Sequence, residues 1–235
     1  MKSFLHVAVS GVGGIGKTPV AEAVASCLEL TCEDFIFYTA EGSFFFNWPD
    51  TRMLRTFGSK NVTGLDPAFE CLLGTENSAV LDVAPTSYLT FLNYLREDVL
   101  DREELERMVI HVPFKSDCKN SLKSLKAIND LCKGSKIIVW CVEEDTPDVF
   151  IAKLKGLSSV YGIVRSFDLS NKLFKSRLQL FTKVLTSDPG TEDESSLEWL
   201  RAKKIGMELG FGLKALMTSL HGEKDVPELV LKLSK

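Results

Sequence analysis

Near the start of the chain, Gly11-Val12-Gly13-Gly14-Ile15-Gly16-Lys17-Thr18 satisfies the spacing G-x-x-x-x-G-K-[ST] at every position. The chemistry this spacing serves is the holding of a polyphosphate. Glycines let consecutive backbone N–H groups turn inward around phosphate oxygens, a lysine at the seventh position places its cation on the β and γ phosphates, and the threonine hydroxyl is suited to Mg²⁺. Gly11, Gly13, Gly14, Ile15, Gly16, Lys17, Thr18 and the following Pro19 are therefore the expected nucleotide-binding residues. In a chain of this length the pattern arises by chance roughly one time in a hundred.

A metal held by Thr18 calls for a second oxygen ligand, which in such sites is an acid at the end of a neighbouring strand. Ala79-Val80-Leu81-Asp82 ends an apolar run on a carboxylate, so Asp82 is expected at the metal with Thr18. A helix cap or turn residue ahead of Pro85 is the alternative for Asp82. Glu41 follows another apolar run and is the third candidate, aimed at metal or attacking water; a solvated loop glutamate is its alternative. The expected catalytic set is Lys17, Asp82 and Glu41. Asp34 precedes its strand and falls at the wrong end of the sheet. Phe44-Phe45-Phe46-Asn47-Trp48 reads as buried packing or as an apolar contact surface. His6, His111 and His221 show no metal-ligand spacing. Six cysteines without CxxC pairs read as buried free thiols.

These groups need a scaffold. Phe4-Leu5-His6-Val7-Ala8-Val9 is an apolar, β-prone run leading into the glycines, and Ala21-Glu22-Ala23-Val24-Ala25-Ser26-Cys27-Leu28 is helix-favouring. Strand, loop and helix follow in the order an anion site needs, because the helix N-terminus adds to the positive field. Pro19 is tolerated in the first helical turn. Further strands are expected at residues 35–38, 79–83, 109–112, 136–142 and 160–164, with helices at 87–99, 119–132, 146–154 and 170–185. Short continuous apolar strands alternating with helices predict an α/β fold with a doubly wound, mostly parallel sheet between two helical layers. A polar stretch at 188–196 reads as a surface loop before C-terminal helices at about 194–235. At 235 residues one domain, 1–235, is expected.

A net charge of −4 with dispersed basic residues excludes a strong autonomous nucleic-acid footprint and leaves weak or indirect DNA contact. No apolar run is long enough for a membrane span, and the N-terminal run leads into glycines rather than a cleavage site. A cytoplasmic protein is expected.

Three stretches resemble the ParA/MinD-type P-loop ATPases, and within them the TraL-like and StbB-like proteins of plasmid conjugation and stability. They are the loop itself, Val80-Leu81-Asp82-Val83-Ala84-Pro85-Thr86-Ser87, and Lys136-Ile137-Ile138-Val139-Trp140. The resemblance spans about the first 165 residues. It implies the three-layer α/β/α P-loop NTPase fold, ATP and Mg²⁺ as cofactors, slow hydrolysis and a nucleotide-dependent homodimer. It also implies switch loops at residues 42–55 and 84–90, and a plasmid partition or relaxosome protein as partner. Val12 departs from the family, which carries there a lysine that reaches the partner subunit's nucleotide. The first-switch acid has no match beyond Glu41. Two alternatives remain: a small-molecule kinase or biotin-synthesis-type ligase using Arg52 and Arg55, which otherwise read as solvated surface arginines, and a non-hydrolysing, nucleotide-gated interaction module. No guanine-reading Asn-Lys-x-Asp segment is present, which points to ATP over GTP.

Overall fold

The computed structural model describes residues 3–30, 34–39, 50–54, 62–73, 77–96, 101–132, 134–143, 146–165 and 226–230, with isolated positions 204, 207, 208, 211, 212 and 215. Its strands are β1 (Leu5–Ala8), β2 (Phe35–Thr39), β3 (Thr51–Met53), β4 (Ser78–Asp82), β5 (Met108–Phe114), β6 (Lys136–Cys141), β7 (Val160–Arg165) and β8 (Glu228–Val230). They form one sheet in the order β3-β2-β4-β1-β5-β6-β7-β8, and every neighbouring pair is parallel.

Parallel sheets must be covered on both faces, and the central strands show why: every residue of β1, β4 and β5 is buried. Side chains alternate between two cores. Leu5, Val7, Leu81, Ile110 and Val139 face helices α2 (Asp66–Phe69), α3 (Tyr88–Arg96), α5 (Lys119–Leu131) and α6 (Asp148–Lys155), which contribute Phe69, Phe91, Leu125 and Leu154. Ala8, Val80, Val109, Ile138 and Trp140 face α1 (Lys17–Leu30), which contributes Val20, Val24 and Leu28. A further short helix, α4 (Arg102–Glu106), is opened by Asp101 and Glu104 in a reciprocal capping box. The fold is α/β, doubly wound and three-layered.

All six strands expected from the sequence are present, within a residue or two at each end. The helix expected at 87–99 forms as a 3₁₀ turn, Pro85–Ser87, continued by α3 to Arg96. The helix expected from 146 starts at Asp148 because Pro147 takes φ −59° and ψ 141°, and a residue before proline is pushed out of the helical region. The stretch read as C-terminal helices contains β8. The expected helix at 170–185 and the loop at 188–196 lie outside the described residues. Cys27, Cys71, Cys132 and Cys141 are buried free thiols within the two cores, and burial pushes the Cys71 and Cys132 thiols up to about 12.

Candidate nucleotide-binding site

The strand order fixes where a ligand can sit. β1 lies between β4 and β5, so the chain leaves β1 for one side of the sheet and later returns to the other, and the crevice between diverging loops opens at the carboxyl end of β1. Residues 11–16 occupy that end and feed directly into α1.

Ser10, fully buried, accepts the Val12 N–H at 3.2 Å and so turns the chain out of the strand. Gly14 and Gly16 take φ of 67° and 100°, the left-handed region in which an L side chain is strained. A Cβ built at Gly13 or Gly14 would meet nothing within 4 Å, so this side of the loop is an open cradle. Lys17 is 4% exposed, and its Nζ donates to the Val12 carbonyl at 3.3 Å. The loop thus holds its cation against its own backbone. Pro19 sits in the first turn of α1, where the missing N–H costs no intrahelical bond, and Val20 N–H closes the first turn on Gly16 O at 3.2 Å.

Asp82 is reached through the sheet. Parallel register sets Ala8 opposite Asp82, at the carboxyl ends of β1 and β4, and alternation sends residues 80 and 82 to the α1 face. There the Thr18 hydroxyl donates to Asp82 Oδ2 at 2.7 Å. Two residues 64 positions apart, both selected from sequence as metal ligands, meet at a 1%-exposed carboxylate. A lysine ammonium, a hydroxyl and a carboxylate beside a glycine cradle suit a magnesium-bound polyphosphate: backbone N–H groups and Lys17 for the anion, Thr18 and Asp82 for the metal. Asp82→Asn keeps an acceptor for Thr18 but removes the charge. It is expected to leave metal-free AMPPNP affinity within about threefold and to reduce the gain from added Mg²⁺ by about tenfold, measured by titration with and without the metal. A gain equal to that of wild type would take Asp82 out of the metal site.

Other candidates are distributed differently. Glu41, Arg55 and the Phe44–Trp48 cluster fall outside the described residues. Arg52 lies on β3 at the sheet edge, separated from β1 by β2 and β4, ion-paired with Asp50 at 3.2 Å, and is not brought to the loop. Asp34 precedes β2, at the far end of the sheet, as expected. Among the described residues no cluster of three or more His, Cys, Asp or Glu forms a metal site.

The residues that brace the loop carry no signature in the sequence, and sequence reasoning missed them. Ser124 on α5 accepts the Gly11 N–H at 2.9 Å, and the Tyr88 hydroxyl donates to the Ser124 carbonyl at 3.2 Å. Nor does any sequence pattern pair His6 with His111, which lie beside each other beneath α1 with Nδ1 and Nε2 3.2 Å apart.

No protein-family model matches the chain, and no curated protein matches it. Among solved structures, a Borrelia burgdorferi B31 protein assigned to plasmid partition and solved with AMPPNP bound is 12% identical. It aligns over 90% of this chain and 100% of its own, with a TM-score of 0.51. A plasmid partition protein from Borrelia burgdorferi is 13% identical over 78% of this chain and 98% of its own, with a TM-score of 0.47. The chain has the P-loop NTPase fold. At these identities the likeness is one of fold. In this P-loop NTPase fold the glycine loop lies at the switch point of the sheet, where Lys17, Thr18 and Asp82 converge.

Proposed function

We propose that this chain is a ParA-like, Mg-ATP-binding protein that acts as a nucleotide-dependent switch in plasmid partition, stability or conjugative mobilisation. The observation that carries the proposal is the Thr18–Asp82 hydrogen bond at 2.7 Å beside a complete phosphate loop. The fold shared with a partition protein solved with AMPPNP supports it.

Gly11, Gly13, Gly14, Ile15, Gly16 and Pro19 form the cradle and its entry into α1, Lys17 neutralises the phosphates, and Thr18 with Asp82 takes the metal. Bound Mg²⁺ would shield the phosphate charge and so favour attack by water. Glu41 is assigned the orientation of that water. Val12 in place of the family's bridging lysine argues for slow turnover and for a homodimer closed by other contacts. A plasmid partition or relaxosome protein is the proposed partner, with weak or indirect contact to DNA. Residues 1–235 are taken as one domain, since a single sheet runs from Leu5 to Val230. A cytoplasmic location accords with the finding that no described helix is long and apolar enough to cross a membrane.

The test is phosphate release from Mg-ATP, with and without plasmid DNA, together with the mass in solution by light scattering. Slow turnover that DNA or dimerisation changes is the expected result. Turnover that appears only on adding a metabolite would transfer the site to a kinase or ligase, a reading weakened by the Arg52–Asp50 ion pair. Binding without any turnover or dimer would leave a nucleotide-gated interaction module, a reading that Val12 keeps open.

A further inference from the structure

Gly11 opens the phosphate loop, yet its backbone does not require glycine: among the described residues the left-handed glycines are Gly14 and Gly16 in the loop and Gly134 elsewhere. What excludes a side chain at Gly11 is a neighbour. A Cβ there would lie 2.9 Å from Tyr88 Cε1, 3.0 Å from Cδ1 and 3.2 Å from Cζ, closer than carbon atoms pack. The same ring is tied down at its far end, where the Tyr88 hydroxyl donates to Ser124 O at 3.2 Å. Ser124 in turn accepts the Gly11 N–H through its own hydroxyl at 2.9 Å. Gly11, Tyr88 and Ser124 therefore close a triangle that joins the loop to the first residue of α3 and to the second turn of α5.

We propose that Tyr88 is a positioning residue for the phosphate loop: its ring seats Gly11, and Gly11 is glycine because Tyr88 is there. The consequence reaches the second half of the site. Asp82 holds the loop's end at Thr18 while Tyr88, six residues on, holds its start at Gly11, so one short segment, residues 82–88, brackets the loop at both ends. A shift in the loop must then be felt at α3, and a displacement of α3 must loosen the loop. The inference rests on the nucleotide-binding role proposed above for residues 11–18, but its steric core stands apart from that role.

The experiment is a double-mutant cycle on the full chain, with Gly11→Ala, Tyr88→Ala and the double variant, titrated with AMPPNP and Mg²⁺ by calorimetry. Gly11→Ala alone is expected to weaken binding by about tenfold or more. In the Tyr88→Ala background the same change is expected to cost no more than about threefold. Tyr88→Phe keeps the ring, so Gly11→Ala should remain as damaging there as in wild type; a merely structural role for Tyr88 would not produce this rescue by one variant and not by the other. An equal cost of Gly11→Ala in all three backgrounds overturns the proposal. Where Tyr88→Ala does not fold, Tyr88→Val carries the cycle. Should wild type bind no AMPPNP, the nucleotide reading fails, and thermal melting of the same variants decides this one. A Gly11→Ala loss in Tm relieved by Tyr88→Ala supports it, and an unrelieved loss overturns it.

Discussion

Replacing Lys17 by alanine is expected to weaken AMPPNP binding by at least about 100-fold, because a phosphate in the glycine cradle loses its one direct cationic side chain from the loop. The same change should move the thermal midpoint by no more than about 3 °C. Lys17 is 4% exposed but its ammonium contacts the Val12 carbonyl at 3.3 Å, a bond within the loop rather than between core elements. Calorimetric titration and melting of the two proteins separate the effects. Lys17→Arg is a useful companion, since it keeps the charge but not the compact ammonium, and it should recover only part of the loss. Affinity within about threefold of wild type in the alanine variant would remove the phosphate-loop function altogether.

Acid should destabilise the protein well before its carboxylates are protonated. His6 on β1 and His111 on β5 are 2% and 0% exposed, and Trp140 Nε1–H donates to His111 Nδ1 at 3.1 Å. Because an indole N–H only donates, His111 must accept there, carry its proton on Nε2 and give it to His6 Nδ1. Protonating His111 would set two N–H groups against each other. Burial pushes His6 down to about 4, and burial together with the neighbouring His6 pushes His111 well below its ordinary value.

Both groups are neutral in the fold and both charge readily once unfolded. Their destabilising effect is therefore absent above the unfolded value, near 6.5, and grows as pH falls from there toward about 4. His6 alone accounts for about 3 kcal/mol over that interval. Urea unfolding at pH 7.5, 6 and 5 should show stability falling steadily. His6→Gln, which keeps an acceptor for His111 but cannot ionise, should flatten the slope by about one proton. A wild-type stability constant between pH 7.5 and 5 would rule out the neutral, buried pair.

How much of this was legible beforehand depended on how local each signal was. The glycine loop is contiguous in sequence, and its strand and helix flank it directly, so the cradle and α1 could be read residue by residue. Asp82 was found because it terminates an apolar run, a feature of the run and not of its neighbours. The Thr18–Asp82 contact itself follows from parallel register between β1 and β4. Gly11–Ser124 and His6–His111 span 113 and 105 positions, and nothing about a serine in a helix or a histidine in a strand announces such a partner. The three-residue strands β3 and β8 are too short to carry a period, and their sequences, Thr-Arg-Met and Glu-Leu-Val, become strands by pairing at the sheet edges. Of the two readings of Arg52, a substrate-binding cation and a solvated surface arginine, β3 favours the second by placing it exposed beside Asp50.

The position of β8 has a bearing on how the protein is made. β7 pairs with β6 on one side and with β8 on the other, and Ile163, Val164 and Arg165 face Glu228, Leu229 and Val230. During synthesis the N-terminal strands, the phosphate loop and α1 can assemble as they emerge from the ribosome, but among the described residues the strand that pairs with the outer edge of β7 comes only with residues 228–230. A row of open N–H and C=O groups invites pairing with another nascent chain. Arg165 and Lys155 hold Glu228 at 3.1 and 2.6 Å, so β8 arrives at an edge where two cations await its carboxylate. Translation that stalls before residue 228 would leave a folded phosphate loop attached to an adhesive edge.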